Sequence, residues 1–314
     1  MDDYWLGILA NMGLLSFLAL SSYVLLIGGA MSFGQQAFFG IGAYAAGMAT
    51  VLGAVPLGVA LALAAVVGGL AAGALGAATL RLRGFHFSVA SLAAAEAVRI
   101  SLELFSLRVV SSEGRMTGPN GIEGFRGIRY LYERGYGPVD FVLLIYGVLG
   151  LVLLALWLSE RRRFGLTLRM AGEDPVLART LGVDVRKARI AAAAAAGAIA
   201  ALGGGLFAHY NTYVEPSNFG MMLGVHGLAY ALIGGLGAPV GPLLGVGIDI
   251  LLVEASRIFH GYRMVAFGGI VAVFLIFRPR GILDERLVNR LRAWAGRAGR
   301  HTPDQPAGEA KGAS

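Results

Sequence analysis

The chain has no cysteine among its 314 residues, and only two lysines, Lys187 and Lys311. Without cysteine there is no disulfide, no thiolate nucleophile and no Cys-ligated metal; redox compartment is left open, since membrane proteins of any compartment do without it. Neither lysine completes a GxxxxGK[ST] loop, so the chain does not hydrolyse ATP through a P-loop. The five histidines, His86, His209, His226, His260 and His301, form no HExxH pattern and no tight metal spacing. No serine sits in GxSxG. An enzyme such as an intramembrane hydrolase therefore lacks a nucleophile and its base, and no catalytic residue is assigned. Charge is scarce as well, at 14% of residues against about 25% in soluble domains.

What is abundant is apolar: 56% of residues, in runs that approach or exceed the roughly 18 needed to cross a bilayer as a helix. The expected fold is an all-α polytopic transmembrane bundle of about nine spans, with eight to ten allowed. The apolar segments are 6–28, 33–55, 56–80, 85–107, 139–159, 190–210, 219–237, 240–258 and 262–277. The last spans only about 24 Å by helical rise, and snorkelling of Arg263 would help it. The start, Met-Asp-Asp-Tyr-Trp, has no basic n-region, so the first run reads as a retained helix.

The net charge of +7 raises nucleic acid as a partner, but its placement excludes that reading. Eight Lys/Arg lie in 161–189 and eight more in 278–311. Basic clusters beside apolar spans mark cytoplasmic loops. Four segments between the two clusters keep both on one side. Counting backward puts Arg81 and Arg83 inside, the 108–138 loop outside and the N-terminus outside. The 108–138 loop carries five Arg and three Glu, which weakens that orientation without reversing it. A membrane domain of 1–301 is expected, followed by a polar cytoplasmic tail, 302–314, of disordered composition.

Two segments are poor as plain helices. One is GGAMSFGQQAFFGIGAY, from Gly28; the other runs from Glu215 through IGGLGAPVGPLLG to Gly245. Pro239 and Pro242 lack a donor and break a helix. Freed backbone at membrane depth is tolerated only inside protein or beside a water-filled cavity, and paired interruptions point to a transport site. Gln35, Gln36, Gly234, Gly235 and Gly237 are thus candidates for a pathway. Close helix packing is the other reading, because Gly237, Gly241 and Gly245 have small-xxx-small spacing.

Within 85–107, Glu96, Arg99 and Glu103 share one helix face. Glu96 lies about 15 Å from the inner end of that helix. Charges there face a bundle interior or a cavity, so Glu96 and Arg99 are either an internally neutralised brace or part of a gate. Asp249 and Glu254 raise the same question, with Arg257 placed to pair with Glu254. His209 and His226 are read as structural hydrogen-bonding groups.

The stretch AGEDPVLARTLGVDVRKARI, 171–190, stands apart from its apolar neighbours. Asp174 and Pro175 read as N-cap and first helical residue, with Glu173 adding negative charge near the helix start. Val176, Leu177, Thr180 and Leu181 fall on one side, opposite Arg179. Gly182 reads as a C′ terminator, and Asp184 as the cap of the next helix. A short amphipathic helix of this kind either lies on lipid or fits the groove of a cytoplasmic partner.

Six motifs in order resemble the permease subunits of ABC importers for branched-chain amino acids, of the LivM type. They are MSFGQQAFFGIGAYAAG, LRLRGFHFSVASLAAAEAVR, TGPNGI, GEDPVLARTLGVDVRKARI, ALIGGLGAPVGPLLG and FRPRGIL, and they cover roughly 14–283. The resemblance implies an inner-membrane permease, paired with a LivH-type subunit, driven by two cytoplasmic ATPase subunits and fed by an extracytoplasmic binding protein. ATP would be used by those partners, and no cofactor or metal would be held by this chain. The 173–182 helix would couple to an ATPase through Glu173, Asp174, Val176, Leu177, Ala178, Leu181 and Gly182. Gln35 and Gln36 stand where such sequences often carry a Gly-His or similar polar pair, so a role specific to histidine does not carry over. Urea, short amides and aromatic acids are alternative cargoes of similar permeases. An ion-coupled secondary transporter is the other functional class, with Glu96, Asp249 and Glu254 as its ion sites. Co-purification with an ATPase separates the two classes.

Overall fold

A computed structural model describes residues 3–79, 81–82, 84–110, 116–130, 132–255, 263–277 and 281–283. The long helices are α1 (Asp3–Ile27), α2 (Gln35–Val51), α3 (Leu57–Thr79), α4 (Phe85–Leu104) and α5 (Pro138–Arg161). Two short ones follow, α6 (Arg163–Glu173) and α7 (Pro175–Thr180), then α8 (Val185–Asn211), α9 (Met221–Gly234), α10 (Gly241–Ala255) and α11 (Arg263–Phe277). Each of the nine apolar segments coincides with one helix. Among the described residues four are long and apolar enough to cross a bilayer: Tyr4–Ile27, Leu57–Thr79, Pro138–Arg161 and Val185–Asn211. Helix α9 (14 residues) reaches only about 21 Å, short of a hydrocarbon core of about 30 Å.

Helix α8 is the centre of the bundle, with α1, α2 and α3 packed around it. Its alanines and glycines allow this. A Cβ on Gly42 of α2 would strike the backbone of Ala201, and one on Gly204 would strike Phe39 O. Gly68 of α3 and Gly197 of α8 oppose each other in the same way. Small residues let helix backbones approach until dispersion contacts are dense, the usual route to association in lipid. Helix α5 packs mainly on α1 and leaves Leu143, Leu151 and Leu154 exposed, an apolar face suited to lipid.

Both suspect stretches contain a non-helical joint between successive helices, although α2 itself runs unbroken from Gln35 to Val51. After α1, Gly29 adopts φ +71°. Ala30 N–H donates to Leu25 O and Gly29 N–H to Leu26 O, each at 3.0 Å, the paired bonds of a Schellman ending. Residues 28–34 are non-helical, and α2 starts at Gln35. After α9, Gly235 adopts φ +92°, and the chain re-enters helix at Gly241. Pro242 sits in the first turn of α10, where its missing donor removes no helical bond. The end of α9 is finished by distant chain: Ile282 N–H donates to Ile233 O and Leu283 N–H to Gly234 O, each at 2.9 Å, and Leu283 O accepts from Gly237 N–H at 2.8 Å. The GIL of FRPRGIL thus caps a helix break.

One feature departs from the all-α expectation. The segment after α4 carries short antiparallel ladders. β1 (Val109–Val110) pairs with β2 (Met116–Thr117), and β3 (Phe125–Arg126) pairs with β4 (Tyr213–Val214) beyond α8. Phe125 and Ile128 are fully buried, and a Cβ on Gly47 of α2 would meet both. This loop is therefore folded onto the bundle. The tail 302–314, Arg257 and the side chain of Glu254 lie outside the described residues.

Candidate functional site

The 161–189 segment folds as α6 and α7, laid against the end of the bundle. Helix α6 buries Gly165, Leu168 and Ala171. Helix α7 is fixed at both ends. Asp174 Oδ1 accepts from Val176 N–H (2.9 Å) and Leu177 N–H (3.0 Å), with Pro175 as the first helical residue. Gly182, at φ +82°, closes the other end with Val183 N–H donating to Ala178 O and Gly182 N–H to Arg179 O, both at 3.0 Å. Asp184 then caps α8 by accepting from Lys187 N–H at 3.0 Å. That backbone bond, helped by the Lys187 ammonium, holds the Asp184 carboxyl below its usual range, so the cap is fully ionised at neutral pH and weakens only as pH falls through this lowered value.

Val176, Leu177, Leu181 and Glu173 point outward, Leu177 with 57% of its surface exposed. Ala178 does not join them. It is buried against Ala171, Val185 and Ala188. A helix of six residues needs an inner side to be held at all, and the small Ala178 lets it lie close to α6 and α8. Ala178 therefore anchors α7 to its own chain instead of facing outward with Leu177.

Two arginines beside α7 were legible in the sequence only as members of a basic cluster. Arg169 of α6 pairs with Glu160 Oε2 at 3.2 Å and donates to Leu236 O, also at 3.2 Å. Tyr23 of α1 donates to the same Glu160 at 2.5 Å. Arg189 of α8 donates to Gly28 O (3.0 Å) and Ala171 O (3.3 Å). A cavity of about 580 Å³ opens beside Arg189, between the break after α1, the start of α4 and α7; Met31, Phe85, Ser88, Val176 and Arg179 line it.

Gln35 and Gln36 begin α2 and are both buried. The Gln35 amide lies 2.5 Å from Ser21 Oγ, which donates to Ala196 O at 2.8 Å. Among the described residues Gln36 Oε1 and Ser22 Oγ have no hydrogen-bond partner, and both face α9, at Gly224 and Gly227. Gly234 and Gly235 lie at the other break; a Cβ on Gly234 would strike Gly241, and one on Gly245 would strike the backbone of Tyr230. The Gly241 and Gly245 positions therefore serve close packing of α9 on α10, while Gly237 belongs to the pairing with Leu283.

Arg99 pairs with both Glu96 (2.5 Å) and Glu103, as their spacing requires. The group is not enclosed: the side chains of Arg99, Glu96 and Glu103 are 22%, 44% and 29% exposed. On a helix read as crossing the bilayer that open surface meets lipid or a partner, and mutual pairing is what makes the three charges tolerable there. Arg99→Ala strands two carboxylates and is therefore expected to lower the level of the protein in the membrane, measured by immunoblot of the membrane fraction. A normal level would place the triad beside water. Asp249 is engaged by Tyr230 OH at 2.7 Å, which ties α10 to α9. His209 lies between Gly205 O and Thr50 Oγ1, at 2.7 and 3.0 Å, and His226 bonds Met222 O at 2.7 Å, both as structural groups.

Known proteins resemble this chain along most of its length. The LivM permease protein of the high-affinity branched-chain amino acid transport system of Escherichia coli is 28% identical over 280 residues, 82% of this chain and 64% of that protein. Its Salmonella typhimurium counterpart is 29% identical over 280 residues, with the same coverage. A probable branched-chain amino acid transport permease protein LivH of Methanocaldococcus jannaschii is 28% identical over 205 residues, 60% of each chain. The chain thus spans just under two thirds of the length of the LivM relatives. No solved structure matches it significantly. The family profile described as the permease component of branched-chain amino acid transport systems matches residues 4–278, and the chain belongs to that family.

Proposed function

We propose that this chain is the transmembrane permease subunit of a bacterial inner-membrane ABC importer that moves branched-chain or other hydrophobic amino acids inward. The observation that carries the proposal is α7. It is a short helix, capped at both ends and pinned by Ala178, that presents Val176, Leu177 and Leu181 to the outside. An apolar face held this rigidly fits the groove of a partner protein, and the family supplies the partner class: two cytoplasmic ATPase subunits that use ATP. A LivH-type permease completes the membrane part, and an extracytoplasmic binding protein delivers the cargo. In this arrangement 161–189 is cytoplasmic, 108–138 is external, the N-terminus is outside and the apolar helices make nine crossings, the short ones completed by neighbouring backbone. The breaks at 28–34 and 235–240, with Gln35, Gln36, Gly234, Gly235 and Gly237, flank the pathway, and Glu96 with Arg99 lines a gate on the open face of α4. Urea, amide or aromatic-acid cargo fits the same architecture. The family match favours the importer over an ion-coupled transporter.

Reporter fusions test the orientation. A reporter after Arg163 is expected to read cytoplasmic and one near Gly121 external; the same side for both would overturn the crossing count. Purification of the complex tests the function: an ATPase is expected to co-purify, and the binding protein to hold an amino acid with an apolar side chain. A stable permease with no ATPase would sink the importer reading.

A further inference from the structure

Helices α6, α7 and the start of α8 form one body. Ala178 joins the core of Ala171, Val185 and Ala188, and Asp174 N–H continues from α6 by donating to Met170 O at 3.1 Å. From this body two guanidinium groups reach out in different directions. Each donates to a carbonyl just past the end of a helix that breaks, Gly28 O after α1 and Leu236 O after α9. Carbonyls at such ends have lost their in-helix donors and need others. Arg189 also holds Ala171 O, so one guanidinium joins the end of α1 to the end of α6. Backbone contact reinforces that joint: a Cβ on Gly172 would meet Gly29 N at 2.9 Å, and a Cβ on Gly29 would meet Gly172 Cα at 2.9 Å. On the other side Arg169 is aimed by Glu160, itself bonded by Tyr23.

We propose that Arg169 and Arg189 are positioning residues for coupling: they latch the docking unit to both helix breaks, so that a displacement of α7 moves the 28–34 and 235–240 segments together. This rests on the importer reading above. Two separated breaks would otherwise answer the same ATPase independently. The planar fork of arginine suits the task because it serves two acceptors at once, which a lysine ammonium on the same stem does not do in fixed geometry.

The test uses the full complex in proteoliposomes, with its ATPases and amino-acid-loaded binding protein. It compares wild type with Arg169→Lys, Arg189→Lys and Glu160→Gln. Both lysine variants keep their charge and are expected to assemble with normal basal ATP turnover. Turnover stimulated by the loaded binding protein, and uptake per ATP, are expected to fall about tenfold, in the range of coupling between sites. Glu160→Gln removes the ion pair but leaves the guanidinium at Leu236 O, and is expected to keep most of the stimulation. Wild-type stimulation in both lysine variants overturns the latch. So does a loss in Glu160→Gln equal to that in Arg169→Lys, which would assign the effect to the ion pair. Failure of both lysine variants to assemble also overturns it, making the arginines structural. If the wild-type chain itself assembles with no ATPase, the importer reading falls and takes the latch with it.

Discussion

Gly204→Leu is expected to leave almost none of the protein in the membrane. Gly204 lies where α8 crosses α2, and a side chain there would run into Phe39 O and approach Ala43 N to 3.0 Å. Both obstacles are backbone, so no rotamer change makes room. The helices must part, and α8 is the element on which α1, α2 and α3 all pack. Overpacking a core typically costs about 1–3 kcal/mol, and more when backbone blocks the way. The parted helices would also lose the close contacts that replace the hydrophobic effect in lipid. The measurement is membrane level together with thermal stability in detergent. Gly150→Leu is the control. It adds the same side chain on α5, where no atom of the described residues lies within 4 Å, and is expected to be tolerated. Equal behaviour of the two variants would show that α8 is free to shift, contrary to the packing described.

Leu177→Glu is expected to abolish ATPase recruitment and ligand-stimulated ATP turnover while the permease still folds. Leu177 is exposed, so its loss removes nothing from the core of this chain, and the caps of α7 use the backbone of residue 177, which glutamate retains. What changes is the outward apolar face. A carboxylate pressed into an apolar groove loses its hydration without a partner, a penalty of several kcal/mol. Retained recruitment with full stimulation would make α7 a surface segment resting on lipid. Gly182→Val separates geometry from contact. At φ +82° a β-branched residue is strained, so the end of α7 should loosen although Leu177 is untouched. Partial loss of stimulation is expected.

Much of this arrangement is written in local pattern. Nine apolar runs became nine helices, and Asp174, Gly182 and Asp184 cap as their residue types dictate, because capping depends on neighbours in sequence. The breaks at 28–34 and near Pro239 were legible for the same reason. Long-range facts were not. The pattern of α7 identified its apolar side but could not tell that Ala178 turns inward while Leu177 turns outward. The spacing of Glu96, Arg99 and Glu103 predicted the pairing but not how open it is, since exposure depends on what packs beside α4. Arg169 and Arg189 looked like any basic residue near a membrane surface; a guanidinium bound to a distant carbonyl leaves no mark in the sequence. The shortness of α9 was hidden too, because its apolar run continues to residue 237 through a turn that is no longer helical.

The pairing of residues 281–283 with the end of α9 has a consequence for biosynthesis. Helices enter the membrane in chain order, yet the carbonyls of Ile233 and Gly234 receive these donors only after α10, α11 and the segment through Leu283 have been made. Until then the last carbonyls of α9 in a nascent chain are met by water or by the insertion machinery. The end of α9, in the middle of the sequence, is therefore completed last, and a chain truncated before Leu283 carries its fault about fifty residues from where synthesis stopped, by the separation of Gly234 from Leu283.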